Sequence, residues 1–591
     1  MFPKRNFRAP FENECLERVQ TLKKLFFGWL AIPVLPPCFV LISFFTGSSR
    51  RARAMMKSAP AFLLQLVEKT LAATSSKSLC VFFVGILALA GCATIGFLLG
   101  IPQPQSHDEY SYLLAADTFA HGRFTNPSHP MWVHFETLHV IHQPSYMSKF
   151  MPAQGVILML GKVLGGHPIV GVWVSMAFMC AAICWMLQGW LPTRWALLGG
   201  IFAVIHPNIG VGNYWAQSYW GGALPAAGGA LLLGGVRHLM VTPRTGYAVA
   251  AAMGLALLAN SRPYEGLVLS LPVGLVLFIW LVGKNRPPAP VLIRSILLPF
   301  VLIGVLTVGA MAYYNYRITG NVTQIPYLLH TQQYMMSTLF VWQPLPPKPV
   351  YRHQLIEDFH VRFELPYYFA KHTFAGFLQL NFLALAYHVV LVGSVFAISL
   401  IGSAKQLLSW AWNDHWGRFA LFIYGFFIFG IMIETYALPH YWAPVTALSY
   451  LFVLQGLRLW RERNPRVGQA VLIALPILAL AVLAMTTNLL VATHDEFTPA
   501  RQRARLLQRL SEGDEKHLIL VKYGPRHSYF NEWVYNDADI DGSKVVWARA
   551  MDDQEDCKLV AYFKDRKVWS LAIDYDESPV RLEPLPTESC R

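Results

Sequence analysis

The chain has 591 residues, of which 54% are hydrophobic and only 14% charged, and its mean hydropathy is +0.39. Soluble domains carry about 25% charged residues, so most of this surface does not face water and an ordinary soluble enzyme is excluded. The net charge of +14 comes with no nucleic-acid-binding signature; Lys and Arg collecting in the cytoplasmic loops of a membrane protein account for it.

Residues 1–78 form a cytoplasmic or interfacial N-terminal region. Its apolar stretch 26–46 is interrupted by Pro33, Pro36 and Pro37 and flanked by basic residues on both sides. That pattern fits a re-entrant hairpin better than a full crossing or a cleaved signal. The first sound span is about 79–100. A polar, aromatic, His-rich segment, 101–166, follows it. Further apolar runs lie near 168–190, 195–211, 219–236, 246–260, 264–283, 293–313, 375–402, 416–433, 441–457 and 467–492. Backbone polar groups in lipid must be satisfied within the segment, so these runs are helices. The expectation is an all-α polytopic domain, 79–492, with about eleven transmembrane helices.

Charge sets the orientation. With residue 78 in the cytoplasm, the inner loops hold Arg194, Arg237, Arg244, Lys284, Arg286, Arg294, Lys405, Arg418, Arg458, Arg461, Arg463 and Arg466. The alternate loops 212–218 and 434–440 hold no Lys or Arg. This places 101–166, 314–374 and the tail 493–591 outside the cytoplasm. The tail reads as a small α/β domain. Arg501 to Leu510 has helical spacing, and β-rich runs begin at His517, Lys544, Lys558 and Lys567. Cys80, Cys92, Cys180 and Cys184 lie in apolar stretches as small core residues. Cys557 and Cys590 pair only if the tail faces an oxidising compartment.

The most informative stretch is His107-Asp108-Glu109-Tyr110-Ser111-Tyr112, which stands just past the first span and opens an amphipathic helical pattern. An acid placed there meets both headgroups and aqueous substrates, where a general base would act on an acceptor attacking a lipid-anchored donor. The competing reading is that Asp108 and Glu109 cap the helix that follows.

An acidic pair after the first span, a long amphipathic outer loop and many further spans together resemble the GT-C glycosyltransferases. Within them the chain is similar to the protein O-mannosyltransferase-like group, which includes the lipid A aminoarabinose transferases and the Rgt-type bacterial enzymes. The string HDEYSYLLAADTFAHGRFTNPSHPMWVHFE carries most of the likeness, and EWVYNDADIDGSKVVWAR and DRKVW extend it into the tail. The resemblance implies a polyprenyl-phosphate-sugar donor and inverting transfer to a lipid, glycan or protein acceptor on the non-cytoplasmic face. It implies a multi-pass protein of a bacterial inner membrane, with Asp108 as the catalytic base and Glu109 beside it.

Such a transfer needs groups that stabilise the departing phosphate. Arg262 stands out, between two spans, in Asn260-Ser261-Arg262-Pro263-Tyr264-Glu265; the bland account is an Arg262–Glu265 pair packing a tight turn. Lys149, Arg317 and Arg352 are further outer cations, each also explicable as a headgroup anchor. His440 and Tyr441, and likewise Trp215 and Gln217, suit sugar binding; an aromatic interface belt explains the rings equally. His134-x-Glu136 and His139-x-x-His142 match no catalytic zinc helix, so no cofactor is expected and a divalent ion is the lesser alternative. The rival functions are a lipid-glycan transporter or flippase and a glycan ligase or polymerase. Against transport, ionisable residues cluster at span ends rather than at mid-bilayer, and no repeated halves are seen.

Overall fold

The computed structural model describes residues 76–284, 286–492, 498–574, 580–586 and 590; the hairpin expected at 26–46 lies outside the described residues. The helices used below are α1 (Lys77–Leu99), α2 (His107–Ala120), α3 (Pro152–Gly165), α4 (Pro168–Leu187), α5 (Thr193–Val204), α6 (Ala223–Val241), α7 (Thr245–Ala259), α8 (Pro263–Val282), α9 (Ala289–Thr319), α10 (Pro326–Tyr334), α11 (Phe374–Gly402), α12 (His415–Met432), α13 (Thr446–Arg463), α14 (Pro465–Ala492), α15 (Pro499–Ser511) and α16 (Asp553–Tyr562).

Eight of these, α1, α4, α6, α8, α9, α11, α12 and α14, are long and apolar enough to cross a membrane, and the chain is a multi-pass membrane protein. Three of the eleven expected spans are not among these eight. α5 has 12 residues and α7 has 15; at 1.5 Å per residue they reach roughly 18 and 22 Å against a hydrocarbon core of about 30 Å. Pro192 precedes α5 and His206-Pro207 follows it, while α7 stops at the Asn260-Ser261 turn. α13 has 18 residues but ends in Arg458, Arg461 and Arg463.

Small residues let these helices approach closely. α1 buries Cys80, Val84, Ala88 and Cys92, a four-residue stripe, against α4. A Cβ at Gly171 of α4 would overlap the carbonyl of Ile157 in α3, and one at Gly229 of α6 would overlap that of Pro444.

The segment between α1 and α3 folds as α2 over a small sheet, in which β3 (Ser145–Ser148) pairs antiparallel with β1 (Asn126–Pro127) and β2 (Val140–Ile141). The tail is a four-stranded sheet. Its strands are β4 (Lys516–Tyr523), β5 (Val545–Arg549), β6 (Arg566–Ile573) and β7 (Leu582–Pro584), in the order β5-β4-β6-β7. β4 is parallel to both neighbours, and β7 runs antiparallel to β6. Alternation along β4 sorts its side chains. Leu518 and Leu520 join a core with Leu114, Phe135, Val140 and Tyr146 of the first loop segment, whereas Ile519 and Val521 pack under Leu506 and Leu510 of α15. The run starting at Lys558, expected as a strand, is instead the end of α16. Asp552 caps that helix by accepting from Glu555 N, and Asp553, Glu555 and Asp556 fill its first turn. A helix there also supplies the crossover that parallel β5 and β6 require. A disulfide joins Cys557 to Cys590.

The glycine contacts lead to a direct expectation. Gly171→Ala should lower the thermal unfolding midpoint in detergent, overpacking of this kind costing about 1–3 kcal/mol. Gly304→Ala, where an added Cβ meets nothing within 4 Å, should melt like the parent.

Candidate active site

α2 begins in a capping box. Ser106 Oγ accepts from Glu109 N at 3.4 Å, while Glu109 Oε2 accepts from Ser106 N at 3.0 Å and Gln105 N at 2.8 Å. Glu109 Oε1 accepts from Tyr219 N at 2.9 Å. Glu109 is 4% exposed. Burial raises its carboxyl pKa, against the lowering effect of the backbone donors of Gln105, Tyr219 and Ser106. Both of its oxygens are therefore occupied in tying α2 to the loop before α6.

Successive helical residues lie about 100° apart, so the same anchor turns Asp108 to another face. Its side chain is 20% exposed, and its Oδ1 stands 3.4 Å from His139 Nδ1. It lies close enough to act electrostatically on Lys149, Arg262, Tyr112, Tyr327 and His440. Lys149, which follows β3, is 3% exposed. Its Nζ lies 4.9 Å from the ring centroid of Tyr327 and 5.3 Å from that of Phe150, and no ion pair to it is present among the described residues. Burial holds its pKa down to about 8, with Asp108 and Glu364 pulling the other way.

Arg262 caps α8 with Pro263 at the first helical position. It stands 3.5 Å from Glu265 and 4.8 Å from the Tyr441 ring centroid. The ion pair and the proline-started helix of the bland reading are thus both present, and the guanidinium still reaches the electrostatic neighbourhood of Asp108. His440 lies between the rings of Trp220 and Tyr441, at 5.2 and 4.9 Å. Burial, and then the charge of Arg262, hold it neutral by taking its pKa well below the ordinary value.

Three expected site residues are engaged in other contacts. Arg317 is on an exposed face of α9, donating to Tyr313 Oη one turn back at 2.9 Å. Trp215 is 1% exposed and packs so closely under Gly222 that a Cβ there would overlap its ring. Gln217 Nε2 donates to Cys92 O and Val211 O, at 3.0 and 2.9 Å, tying the loop to α1. Conversely, Tyr112, His139 and Tyr327 lie near Asp108 without having been singled out for this role. Tyr112 alone carried a signal, since it follows Asp108 by four residues on one helix face.

A cavity of about 680 Å³ lies at the opposite end of the bundle, lined by Met240, Trp280, His415, Trp416, Arg418 and Phe422 among others. A smaller one of about 220 Å³ lies between α2 and the tail, lined by Tyr110, Asp117, Arg503, Asp537 and Trp547 among others. Asp108 lines neither. Among the described residues no group of three His, Cys, Asp or Glu side chains is placed to hold a metal ion.

No family model and no curated protein matches the chain. Among solved structures it is similar to ArnT from Cupriavidus metallidurans in the apo state, with 13% identity over 82% of this chain and 92% of that one and a TM-score of 0.48. It is also similar to the Archaeoglobus fulgidus oligosaccharyltransferase in complex with Zn and sulfate, with 11% identity, 83% and 67% coverage and a TM-score of 0.45. A third is the archaeal oligosaccharyltransferase AglB from Archaeoglobus fulgidus in complex with an inhibitory peptide and a dolichol-phosphate, at 10% identity, 83% and 69% coverage and a TM-score of 0.39. The likeness to all three is loose.

The anchoring role of Glu109 has a measurable consequence. Glu109→Gln places an NH2 group against backbone N–H donors, so it should lower the thermal midpoint clearly. A buried donor left unsatisfied costs about 1–3 kcal/mol. A Gln variant that melts like the parent would remove the anchor.

Proposed function

We propose that this protein is a membrane glycosyltransferase that moves a sugar from a polyprenyl-phosphate-linked donor to an acceptor hydroxyl, with inversion, at the membrane face where Asp108 lies. The observation that carries this reading is the pairing of a buried Lys149, lacking a counter-ion among the described residues, with a nearby Asp108 carboxylate not used in capping. A buried cation needs an anion. The leaving phosphate is one that arrives with substrate and gains charge in the transition state.

In this mechanism an Asp108 oxygen takes the proton of the acceptor hydroxyl. The acceptor oxygen bonds to the anomeric carbon as the carbon–oxygen bond to phosphate breaks, and the electron pair leaves with the phosphate. Lys149 and Arg262 receive the phosphate, and His440 and Tyr441 line the approach. No step is assigned to a metal. Residues 79–492 form the catalytic domain, 1–78 precede it on the cytoplasmic side, and 493–591 form an extracytoplasmic domain over the site in a bacterial cell membrane. The acceptor is a lipid, a glycan or a protein; an oligosaccharide donor would make the enzyme a ligase or polymerase.

Asp108→Asn keeps the size of the side chain and deletes the base, so it should reduce transfer from a polyprenyl-phosphate sugar by about 10²–10⁴-fold, with expression and donor binding retained. Parental turnover would overturn the assignment. Arg262→Lys should cost activity while leaving folding intact, because Lys lacks the planar fork. Lys149 must be charged to receive phosphate, and its charged form is lost as pH rises through about 8. The donor KM should therefore climb above that pH in the parent, and a flat KM would remove Lys149 from the phosphate site.

The tail's placement is tested separately. In intact cells Cys557 and Cys590 should resist thiol alkylation until a reductant is added, as a disulfide on an oxidising face does. Alkylation without reductant would place the tail in a reducing compartment.

A further inference from the structure

Resting on the reading of Asp108 as a base, we infer that His139 is a positioning residue for it. Its Nδ1–H holds one carboxylate oxygen and so presents the other to the acceptor hydroxyl.

Three independent features point to this. The first is distance: His139 Nδ1 lies 3.4 Å from Asp108 Oδ1. The second is an unmet donor or acceptor. Nδ1 is buried and has no hydrogen-bond partner, a condition that buried polar atoms rarely keep without a reason. The 3.4 Å contact is not aligned as a hydrogen bond, and catalytic contacts of this kind tighten when substrate is bound. The third is the backbone. His139 has φ of 62°, one of two described non-glycine residues with positive φ, a conformation that L side chains adopt rarely. It is pinned there because its carbonyl accepts from Ser111 Oγ at 2.6 Å and from Lys149 N at 3.3 Å.

The ring is fixed as firmly as the backbone. Phe150, Phe359, His107 and His330 meet it edge to face, with centroids 5.7, 5.6, 5.7 and 6.0 Å away. The charged or titratable groups around it are Asp108 and His107 from α2, Lys149 after β3, His330 from α10 and His360 from the helical stretch 354–371. Burial first, and then Lys149, His107 and His360, hold its pKa well below the ordinary value. His139 is thus a neutral donor that does not compete for the substrate proton. In turnover that proton ends on Asp108, and His139 keeps its own.

The competing role is that of a ring filling an aromatic box, and two substitutions separate the two. His139→Asn loses the ring, but Asn tolerates positive φ and its amide N–H can occupy the Nδ1 position. His139→Phe keeps the ring and loses the donor. Positioning predicts that kcat in the Asn variant stays within about tenfold of the parent. It predicts that the Phe variant loses about 10²-fold in kcat, the lower end of a general base's contribution, with donor and acceptor KM little changed. Filling predicts the reverse order, and that order would overturn the inference. If the Phe variant does not fold, His139→Gln, whose amide sits one carbon further out and misses Asp108, takes its place. A Gln variant as active as the Asn variant would also overturn it. Loss of transfer in Asp108→Asn with parental rates in the His139 variants would overturn this inference alone; a parental rate in Asp108→Asn would remove the base, and with it anything for His139 to position.

Discussion

The arrangement around Asp108 depends on one carboxylate that takes no part in the proposed chemistry. Glu109 gathers the backbone N–H groups of Gln105, Ser106 and Tyr219, so it terminates α2 and bolts that helix to the loop leading into α6. The anchor is the residue next to Asp108, so it fixes the rotation of α2 at that position. Every distance from Asp108 to Lys149, His139 and Arg262 inherits that setting. The two acids of the pair divide the labour between them: one is consumed in holding the helix still, and the other remains to be used.

Much of this was legible in the chain itself. Ser106-x-x-Glu109 ahead of an amphipathic run is a capping box, and the apolar runs marked the membrane helices wherever they were long enough. Helix ends were harder to read. α5 and α7 stop at a proline-containing turn and at a polar turn, and hydropathy does not register where a helix stops. Trp215 and Gln217 show another limit. Aromatics beside amides have the same composition in a sugar site and in a packed loop. What separates the two is a contact with Gly222 and a bond to the Cys92 carbonyl, neither of which is visible along the chain. Lys149 could be seen as a cation outside the spans. Its burial could not, because Tyr327, one of the rings that wall it in, comes from a segment nearly two hundred residues further on.

The tail is bound into the same arrangement. One face of its sheet is covered by α15, and the other shares a core with Leu114, Phe135, Val140 and Tyr146. Polar contacts follow the apolar ones. Asp117 of α2 accepts from Ala538 N at 2.9 Å, and Tyr146 Oη donates to Asn536 O at 2.9 Å. The buried Arg549 pairs with Glu532 and donates to the carbonyl of Glu136 at 2.6 Å. The tail is therefore less an appended domain than the missing half of the core beneath α2.

The bond between His107 Nδ1 and Tyr535 Oη, 2.8 Å long, joins residues 428 positions apart, and His107 is the immediate neighbour of Asp108. During synthesis the helix bearing the acid emerges first and waits through the insertion of all the later spans before Tyr535 arrives to complete its surroundings. Until then the face that carries Leu114 lacks the cover the tail gives it. A chain stalled or clipped partway would carry Asp108 on a helix held by Glu109 and α3 but without its bond to the tail.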